Sequence, residues 1–204
     1  MWPAVSFLIV AIAYFLGEVS LFGKRNDNTR HWLATLLLFP YLSFAYCIWN
    51  IQVLFSREPP FNSINDALIV SRRLKLREYP AKIVKVCDLT CEMCDSKLIQ
   101  KTIQYVCFPI LDAGVPNVRE LVALLKTLEP SSNGFLLIHC ANGHGRTGVV
   151  AAAWLLFYRY ANSVDDALKI LTSQRSGIYL CRKQREFLDT IFEYLKTNSE
   201  RLPD

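Results

Sequence analysis

The chain has 204 residues, a net charge of +5 and a hydrophobic content of 52%. This length allows one globular domain and an additional segment, and the hydrophobic content excludes a disordered chain. The basic residues are not interleaved with an aromatic platform, so we do not expect nucleic acid as a partner.

The front of the chain is apolar. Residues 1–17 carry no charged side chain, and residues 31–56 contain no Asp, Glu, Lys or Arg. Because about 20 apolar residues span the core of a bilayer, the second segment is long enough to cross, whereas Glu18 limits the first. We predict a two-helix transmembrane anchor over residues 1–56. Two helices that dock on the globular domain as an extra layer are the alternative.

The orientation of this anchor follows from chemistry. The linker at residues 23–30 and the segment after residue 56 are both basic, so the positive-inside rule does not decide. The seven cysteines are an odd number, which favours a reducing compartment. Two spans return the chain to its starting side. We therefore predict an integral membrane protein whose catalytic domain faces the cytoplasm, with residues 24–30 in a short outer loop.

We predict that residues 57–204 form one catalytic domain in which strands alternate with helices. Four features indicate helices: a capping pattern at Asn117, an apolar run at 149–157, a helix start at Ser163 and an amphipathic stretch at 187–195. Apolar runs predict strands at 67–70, 82–87, 104–108 and 135–140. This alternation predicts an α/β sandwich with a central, mostly parallel sheet flanked by helices.

The most informative segment lies between the last of these strands and the next helix. Cys140 stands six positions before Arg146, and His139 precedes it. Backbone N–H groups of a loop before a helix bind phosphate, and the Arg146 guanidinium can contact two phosphate oxygens. The same positive field favours an ionised Cys140, and the Thr147 hydroxyl can assist the departure of its sulfur. The predicted phosphate-binding loop consists of Ala141, Asn142, Gly143, His144 and Gly145.

Two other interpretations of this segment remain. A Walker-type nucleotide loop requires Gly-Lys-Ser/Thr at its end, whereas this loop has Gly145-Arg146-Thr147. The second is a buried strand cysteine that is followed by a glycine-rich turn.

A thiolate that attacks phosphorus needs an acid to protonate the leaving oxygen. Asp112 lies between Pro109 and Pro116, after an apolar run, and is the predicted acid. An aspartate that merely precedes a helix is the alternative. Asp88 follows the run at 82–87, and we expect it to be structural.

The segment from His139 to Gly148 resembles the signature loop of the protein-tyrosine-phosphatase superfamily, most closely its dual-specificity branch. The Arg-Thr-Gly ending is also similar to that of phosphatase-and-tensin-type lipid phosphatases. Residues 109–116 match the acid loop of the superfamily, Pro-x-x-Asp-x-x-x-Pro. The resemblance implies the phosphatase sandwich and hydrolysis through a phosphocysteine at Cys140, with no metal or cofactor. It further implies that Glu92 holds Arg146, with a solvated glutamate as the alternative. It also makes Cys91, or else Cys94, a candidate redox partner of Cys140.

These observations predict a membrane-tethered cysteine phosphatase that acts on a phosphorylated protein, with a phospholipid headgroup phosphate as the alternative substrate. A polyphosphorylated lipid is less suited because the loop has Ala141 and His144 where such enzymes carry lysines. A catalytically dead phospho-binding module is a further alternative. Zinc at Cys87, Cys91 and Cys94 lacks a fourth ligand. We expect Gln184, just before the last helix, to have a surface role; the resemblance offers placement of water as the alternative.

Overall fold

The computed structural model describes residues 1–198, which form seven α-helices and five β-strands. The helices are α1 (Trp2–Leu16), α2 (Trp32–Phe55), α3 (Lys97–Thr102), α4 (Val118–Thr127), α5 (Gly145–Phe157), α6 (Val164–Gln174) and α7 (Arg182–Thr197). The strands are β1 (Phe61–Ser63), β2 (Leu68–Ser71), β3 (Ile83–Thr90), β4 (Gln104–Ile110) and β5 (Phe135–His139).

The five strands form one mixed sheet in the order β1-β2-β5-β3-β4. Strand β1 is antiparallel to β2, and the other neighbouring pairs are parallel. The predicted α/β fold is confirmed, and strands β2 to β5 lie where apolar runs predict them. Strand β1 and helix α3 were not predicted, because three and six residues are too few for a clear hydrophobic period.

Alternate strand residues face two separate cores. On one face, Leu136 and Ile138 pack in the cluster that contains α5, whereas Leu137 packs with Val86 and Ile69 on the other face. Helix α5 is buried from Arg146 to Phe157, which explains why its sequence is apolar all round. Cys140 therefore lies directly after a central strand, at the carboxyl edge of the sheet, where ligands of parallel sheets bind.

The two N-terminal helices differ in their ability to span a membrane. Helix α1 has 15 residues and ends at Gly17, which adopts a φ of 72°; at 1.5 Å per residue it reaches about 22 Å, short of a bilayer core of about 30 Å. Among the described residues, α2 alone is long and apolar enough to cross a membrane, by length and composition. The prediction of two transmembrane helices is therefore wrong.

Two hydrogen bonds join α1 and α2, which we call the helix pair, close to Pro40. Proline has no N–H, so the carbonyl of Leu36 lacks its usual partner four residues on. The indole Nε1 of Trp2 donates to this carbonyl over 3.1 Å, and the backbone N–H of Tyr41 donates to Ser6 Oγ over 3.2 Å. The two helices are thus joined at the point where α2 loses a backbone hydrogen bond.

The segment between the two helices lies against the sheet. Lys24 Nζ is 2.5 Å from Asp88 Oδ2, the side chain of Asn28 donates to the carbonyl of Asp95, and that of Arg30 donates to the carbonyl of Cys91. The prediction of a short outer loop across a membrane is wrong, because these polar side chains are satisfied by the catalytic domain itself.

Helix α2 continues along the same domain. Leu38 packs with Cys91 and Leu111, and Trp49, eleven residues later, donates a hydrogen bond to the carbonyl of Ala141. These two contact points are about 16 Å apart along the helix axis. The alternative prediction, a helical layer docked on the globular domain, describes this arrangement.

Candidate active site

The loop that contains Cys140 joins β5 to α5. The backbone N–H of Gly143 donates to Cys140 Sγ over 3.2 Å. Gly143 has a φ of 73°, and a Cβ at this position would lie 2.4 Å from the carbonyl oxygen of Ser71. Both the conformation and the close approach to β2 therefore require glycine.

Hydrogen bonds from outside the loop hold its carbonyl groups. The carbonyl of Ala141 accepts from Trp49 Nε1 and from the backbone N–H of Arg73, each at 3.0 Å. Arg175 donates from Nη2 to the carbonyl of Asn142 and from Nε to that of Gly143, also at 3.0 Å. With its carbonyls turned outward, the loop leaves amide groups for an anion beside Cys140. Nothing in the sequence around Arg175 indicates this role.

Arg146 is the second residue of α5 and is buried. Its Nη1 and Nη2 donate to the two carboxylate oxygens of Glu92 over 2.8 and 2.7 Å, and Nη1 also donates to the carbonyl of Ile110. Burial would raise the pKa of Glu92, but the Arg146 guanidinium lowers it to about 2. The sequence associated Glu92 with Arg146, and the structure brings the two together.

Asp112 lies on the loop that follows β4. Its Oδ1 is 3.3 Å from Arg146 Nε, and 71% of its side chain is exposed. Arg146 Nε is buried and has no hydrogen-bond partner among the described residues. The predicted acid thus lies next to the guanidinium, and its side chain is mostly exposed.

Gln184 connects this loop to the phosphate-binding loop. Its Nε2 donates to the carbonyl of Gly114, and a Cβ on Gly145 would lie 3.2 Å from the same nitrogen. The residue is buried, so the prediction of a surface role for Gln184 is wrong. Gln184 lies in the first turn of the amphipathic helix α7, and no local pattern there indicates that its amide group faces these two loops.

His139 is fully buried next to the nucleophile position. Its Nε2 is 3.0 Å from Asp95 Oδ2, and its Nδ1 is 3.3 Å from the carbonyl oxygen of Cys140. Burial would lower the pKa of His139, but Asp95 and Asp88 raise it to about 9. The imidazolium is therefore the form present at neutral pH.

Asp88, Asp95 and His139 place three potential metal ligands within 4.8 Å of one another. Two cations already occupy this cluster, because Lys24 Nζ is 2.5 Å from Asp88 and Arg73 Nε is 3.0 Å from Asp95. Its chemistry suits an ion-pair network better than a metal ion. Asp88 lies within β3, where the sequence predicted a structural residue.

Three remaining predicted residues lie around the loop. His144 Nε2 is 2.7 Å from Glu58 Oε2, and the hydroxyl of Thr147 is buried without a hydrogen-bond partner among the described residues. Cys91 is buried beneath the helix pair, where its thiol donates to Glu92 over 3.3 Å. Burial and Glu92 raise the pKa of Cys91 well above its usual value, which disfavours the ionised form expected of a fast-reacting redox partner.

Comparisons with known proteins relate this chain to phosphatase domains. Residues 72–189 match the family model described as Swiss Army Knife protein, DSP-PTPase phosphatase domain. Uncharacterized protein MJECL20 of Methanocaldococcus jannaschii is 31% identical over 182 residues, which cover 88% of this chain and 93% of that protein. The tyrosine-protein phosphatase Lar-like of Caenorhabditis elegans is 34% identical over 112 residues, which cover 50% of this chain and 5% of that protein. The chain spans less than half the length of the named tyrosine phosphatases that it matches.

Solved structures share the fold. The crystal structure of Tk-PTP in the active form superimposes with a TM-score of 0.60 at 28% identity, over 66% of this chain and 97% of that one. PTPMT1 in complex with PI(5)P superimposes with a TM-score of 0.59 at 18% identity, over 69% of this chain and 99% of that one. These structures therefore leave about a third of this chain unmatched.

Proposed function

This chain belongs to the family of DSP-PTPase phosphatase domains, and we propose that it hydrolyses phosphate monoesters through a phosphocysteine intermediate at Cys140. One observation carries the proposal: the Gly143 N–H points at Cys140 Sγ over 3.2 Å, at the start of a helix whose second residue is Arg146. A sulfur anion and a phosphate are both stabilised at such a place.

The reaction proceeds in two displacements. The Cys140 thiolate attacks phosphorus, an S–P bond forms, and the P–O bond to the leaving group breaks while Asp112 gives that oxygen a proton. Water then attacks phosphorus, Asp112 accepts its proton, and the S–P bond breaks. The Thr147 hydroxyl donates to the departing sulfur. Arg146 and the loop amides stabilise the negative charge of the transferring group.

Two buried residues position this machinery. Glu92 holds the Arg146 guanidinium through two charge-assisted hydrogen bonds, which leaves Nε for the phosphate and for Asp112. His139 adds a positive charge beside Cys140, because Asp95 keeps its imidazole protonated. We assign these groups to a catalytic part over residues 57–204 and residues 1–56 to a membrane-contacting part that is docked on it.

The compartment and substrates follow from the same chemistry. The seven cysteines are free thiols, which supports a location on the cytoplasmic side of a membrane, where thiols stay reduced. The named relatives are tyrosine phosphatases, so a phosphotyrosine peptide and an aryl phosphate are the reference substrates for this chain.

Trapping of the intermediate tests the proposal. Acid quenching of the full chain with radiolabelled aryl phosphate should leave label on Cys140, and Cys140→Ser should abolish both label and turnover. Asp112→Asn should lower kcat by about 10²–10⁴-fold for substrates with poor leaving groups. Unchanged turnover in Cys140→Ser would refute the proposal.

A further inference from the structure

The wall of the cavity that faces Cys140 comes from the helix pair. The cavity has a volume of about 420 Å³, and Cys140, Arg146 and Asp112 line one side. The opposite side consists mostly of apolar and aromatic side chains of the helix pair: Tyr14, Tyr41, Phe44, Ala45, Ile48 and Trp49. These residues lie outside the region that matches the family model, so this wall is an addition to the phosphatase domain.

The same wall is continuous with the outer surface of the helix pair. The side chains of Phe44 and Ile48 line the cavity, yet they are 53% and 38% exposed. The ring of Phe44 lies 5.8 Å from that of Phe7 on α1, which is also exposed. An apolar group can therefore pass from the outer surface to the cavity along these side chains, without a polar barrier among them.

The outer surface is uncharged and extensive. The sequence has no Asp, Glu, Lys or Arg in residues 1–17 and 31–56, and large apolar side chains are exposed on both helices: Leu8, Phe15, Leu36, Phe39, Ile51, Leu54 and Phe55. Soluble monomers rarely expose apolar patches beyond a few hundred Å². Since α2 is held along the domain at Leu38 and Trp49, this surface lies beside the cavity mouth and suits the acyl region of one bilayer leaflet.

The cations around the cavity match a single phosphate. Arg146 is the one Arg or Lys that lines the cavity in the described residues. Nearby, Arg72 is paired with Glu78, and Arg175 with Glu58 and the loop carbonyls. Glu58 also pairs with His144. Among the described residues that line this cavity, no Arg or Lys besides Arg146 is thus placed to receive a second phosphate group from the same substrate.

We propose, on the basis of the proposed phosphatase function, that the substrate is a membrane lipid with a single terminal phosphate monoester, which enters from the leaflet on which the helix pair lies. Phe44 and Ile48 form the lip over which the lipid reaches Cys140. In this case the helix pair selects the lipid substrate and also attaches the chain to the membrane.

The experiment compares substrates on the full chain. Phosphatidylcholine vesicles carry phosphatidic acid, phosphatidylglycerol phosphate or a phosphatidylinositol monophosphate, and p-nitrophenyl phosphate and a phosphotyrosine peptide are the soluble substrates. We expect the chain to float with the vesicles and to hydrolyse at least one lipid with a kcat/KM above that for the peptide. Ile48→Gln should lower the ratio of lipid to aryl phosphate turnover about tenfold or more. The matched control Leu98→Gln, at an exposed leucine on α3, should leave this ratio unchanged.

The outcomes separate the two proposals. If p-nitrophenyl phosphate is not hydrolysed, the phosphatase function itself fails. If it is hydrolysed but the peptide is preferred to all three lipids, only the lipid inference is overturned. The inference is also overturned if the chain does not bind vesicles and instead buries the helix pair in a dimer, as measured by light scattering.

Discussion

Trp49 Nε1 donates a hydrogen bond over 3.0 Å to the carbonyl oxygen of Ala141, which lies 92 positions later in the chain and next to the nucleophile position. The indole is 2% exposed, and its ring also lies 5.2 Å from the Arg73 guanidinium. A residue that the sequence assigned to a membrane anchor thus holds the phosphate-binding loop. Residues 1–56 and the rest of the chain are distinct in sequence, and both contribute side chains to the candidate active site.

We therefore expect Trp49→Phe to lower kcat for p-nitrophenyl phosphate while the chain remains folded, because the ring is kept and the hydrogen bond to the loop is lost. Trp49→Ala should also lower the free energy of unfolding by about 3–5 kcal/mol, as expected for a deleted buried aromatic side chain. Trp32→Phe, at a residue that is 70% exposed, is the control and should change neither quantity. Steady-state kinetics and urea denaturation measure both effects.

Deletion of residues 1–56 extends the same argument. The deletion removes the ion pair of Lys24 with Asp88 and the hydrogen bond from Trp49 to Ala141. It also exposes Cys91 and Leu111. We expect the truncated chain to lose most of its turnover of p-nitrophenyl phosphate. Full turnover would show that residues 57–204 work alone and that the helix pair serves only for attachment.

The buried pair of Glu92 and Arg146 allows a sharper test. Glu92→Gln replaces two carboxylate acceptors by one amide oxygen, so Arg146 loses one of its two hydrogen bonds to this side chain and its buried counter-charge. We expect kcat to fall by about 10²-fold and the free energy of unfolding to fall by about 3–5 kcal/mol. The control Glu186→Gln breaks an exposed pair with Arg182, which should cost at most about 1 kcal/mol. A Glu92→Gln variant with full turnover would exclude the positioning role.

Much of this site could be predicted from sequence, because its central elements are local. Cys140, Arg146 and the loop between them are close in the chain, and an apolar strand and helix on either side fix their geometry. The partnership of Glu92 with Arg146 spans 54 positions and was predicted through resemblance to a family, since no local pattern indicates it.

The rest depends on tertiary contacts that no local pattern records. Arg175 and Gln184 reach the loops from the segments before and within α7, and their neighbours in sequence are ordinary surface residues. The helix pair was misassigned because hydropathy reports how apolar a helix is but not what covers it. Lys24 and Arg30, which looked like a solvated linker, are satisfied by groups of the sheet that only the fold brings near.

The ion pair of His139 and Asp95 predicts how stability depends on pH. Because folding raises the pKa of His139 from 6.5 to about 9, its stabilising contribution is complete below pH 6.5 and is lost as the pH rises to about 9. The loss should amount to a few kcal/mol at most, since one pKa unit corresponds to about 1.4 kcal/mol. Urea denaturation of the wild type and of His139→Gln between these pH values measures it.

In His139→Gln the decline over this interval should be absent or much smaller. His31→Asn is the control, because His31 is exposed and the asparagine can still accept the capping hydrogen bond from Leu33. If wild type and His139→Gln lose stability in parallel, another group titrates and the charged His139 does not support the site.

Gly143, in the phosphate-binding loop, and Gly17, outside it, allow a controlled comparison of the same Gly→Ala substitution. Both have positive φ, 73° and 72°, but a Cβ at Gly143 would lie 2.4 Å from Ser71 O, whereas a Cβ at Gly17 meets nothing within 4 Å. Each Gly→Ala change carries the backbone cost of about 1–2 kcal/mol for an L-residue in the left-handed region. The difference between them therefore isolates the clash with β2.

We expect Gly17→Ala to retain turnover of p-nitrophenyl phosphate at a slightly lower melting temperature. Gly143→Ala must displace either β2 or the loop, which moves the Gly143 N–H away from Cys140 Sγ and removes a donor to the sulfur anion. Its turnover should fall by about 10²–10³-fold, as for the loss of one oxyanion donor, and alkylation of Cys140 by iodoacetamide near neutral pH should slow. Equal alkylation rates in the two variants would mean that this amide does not stabilise the thiolate.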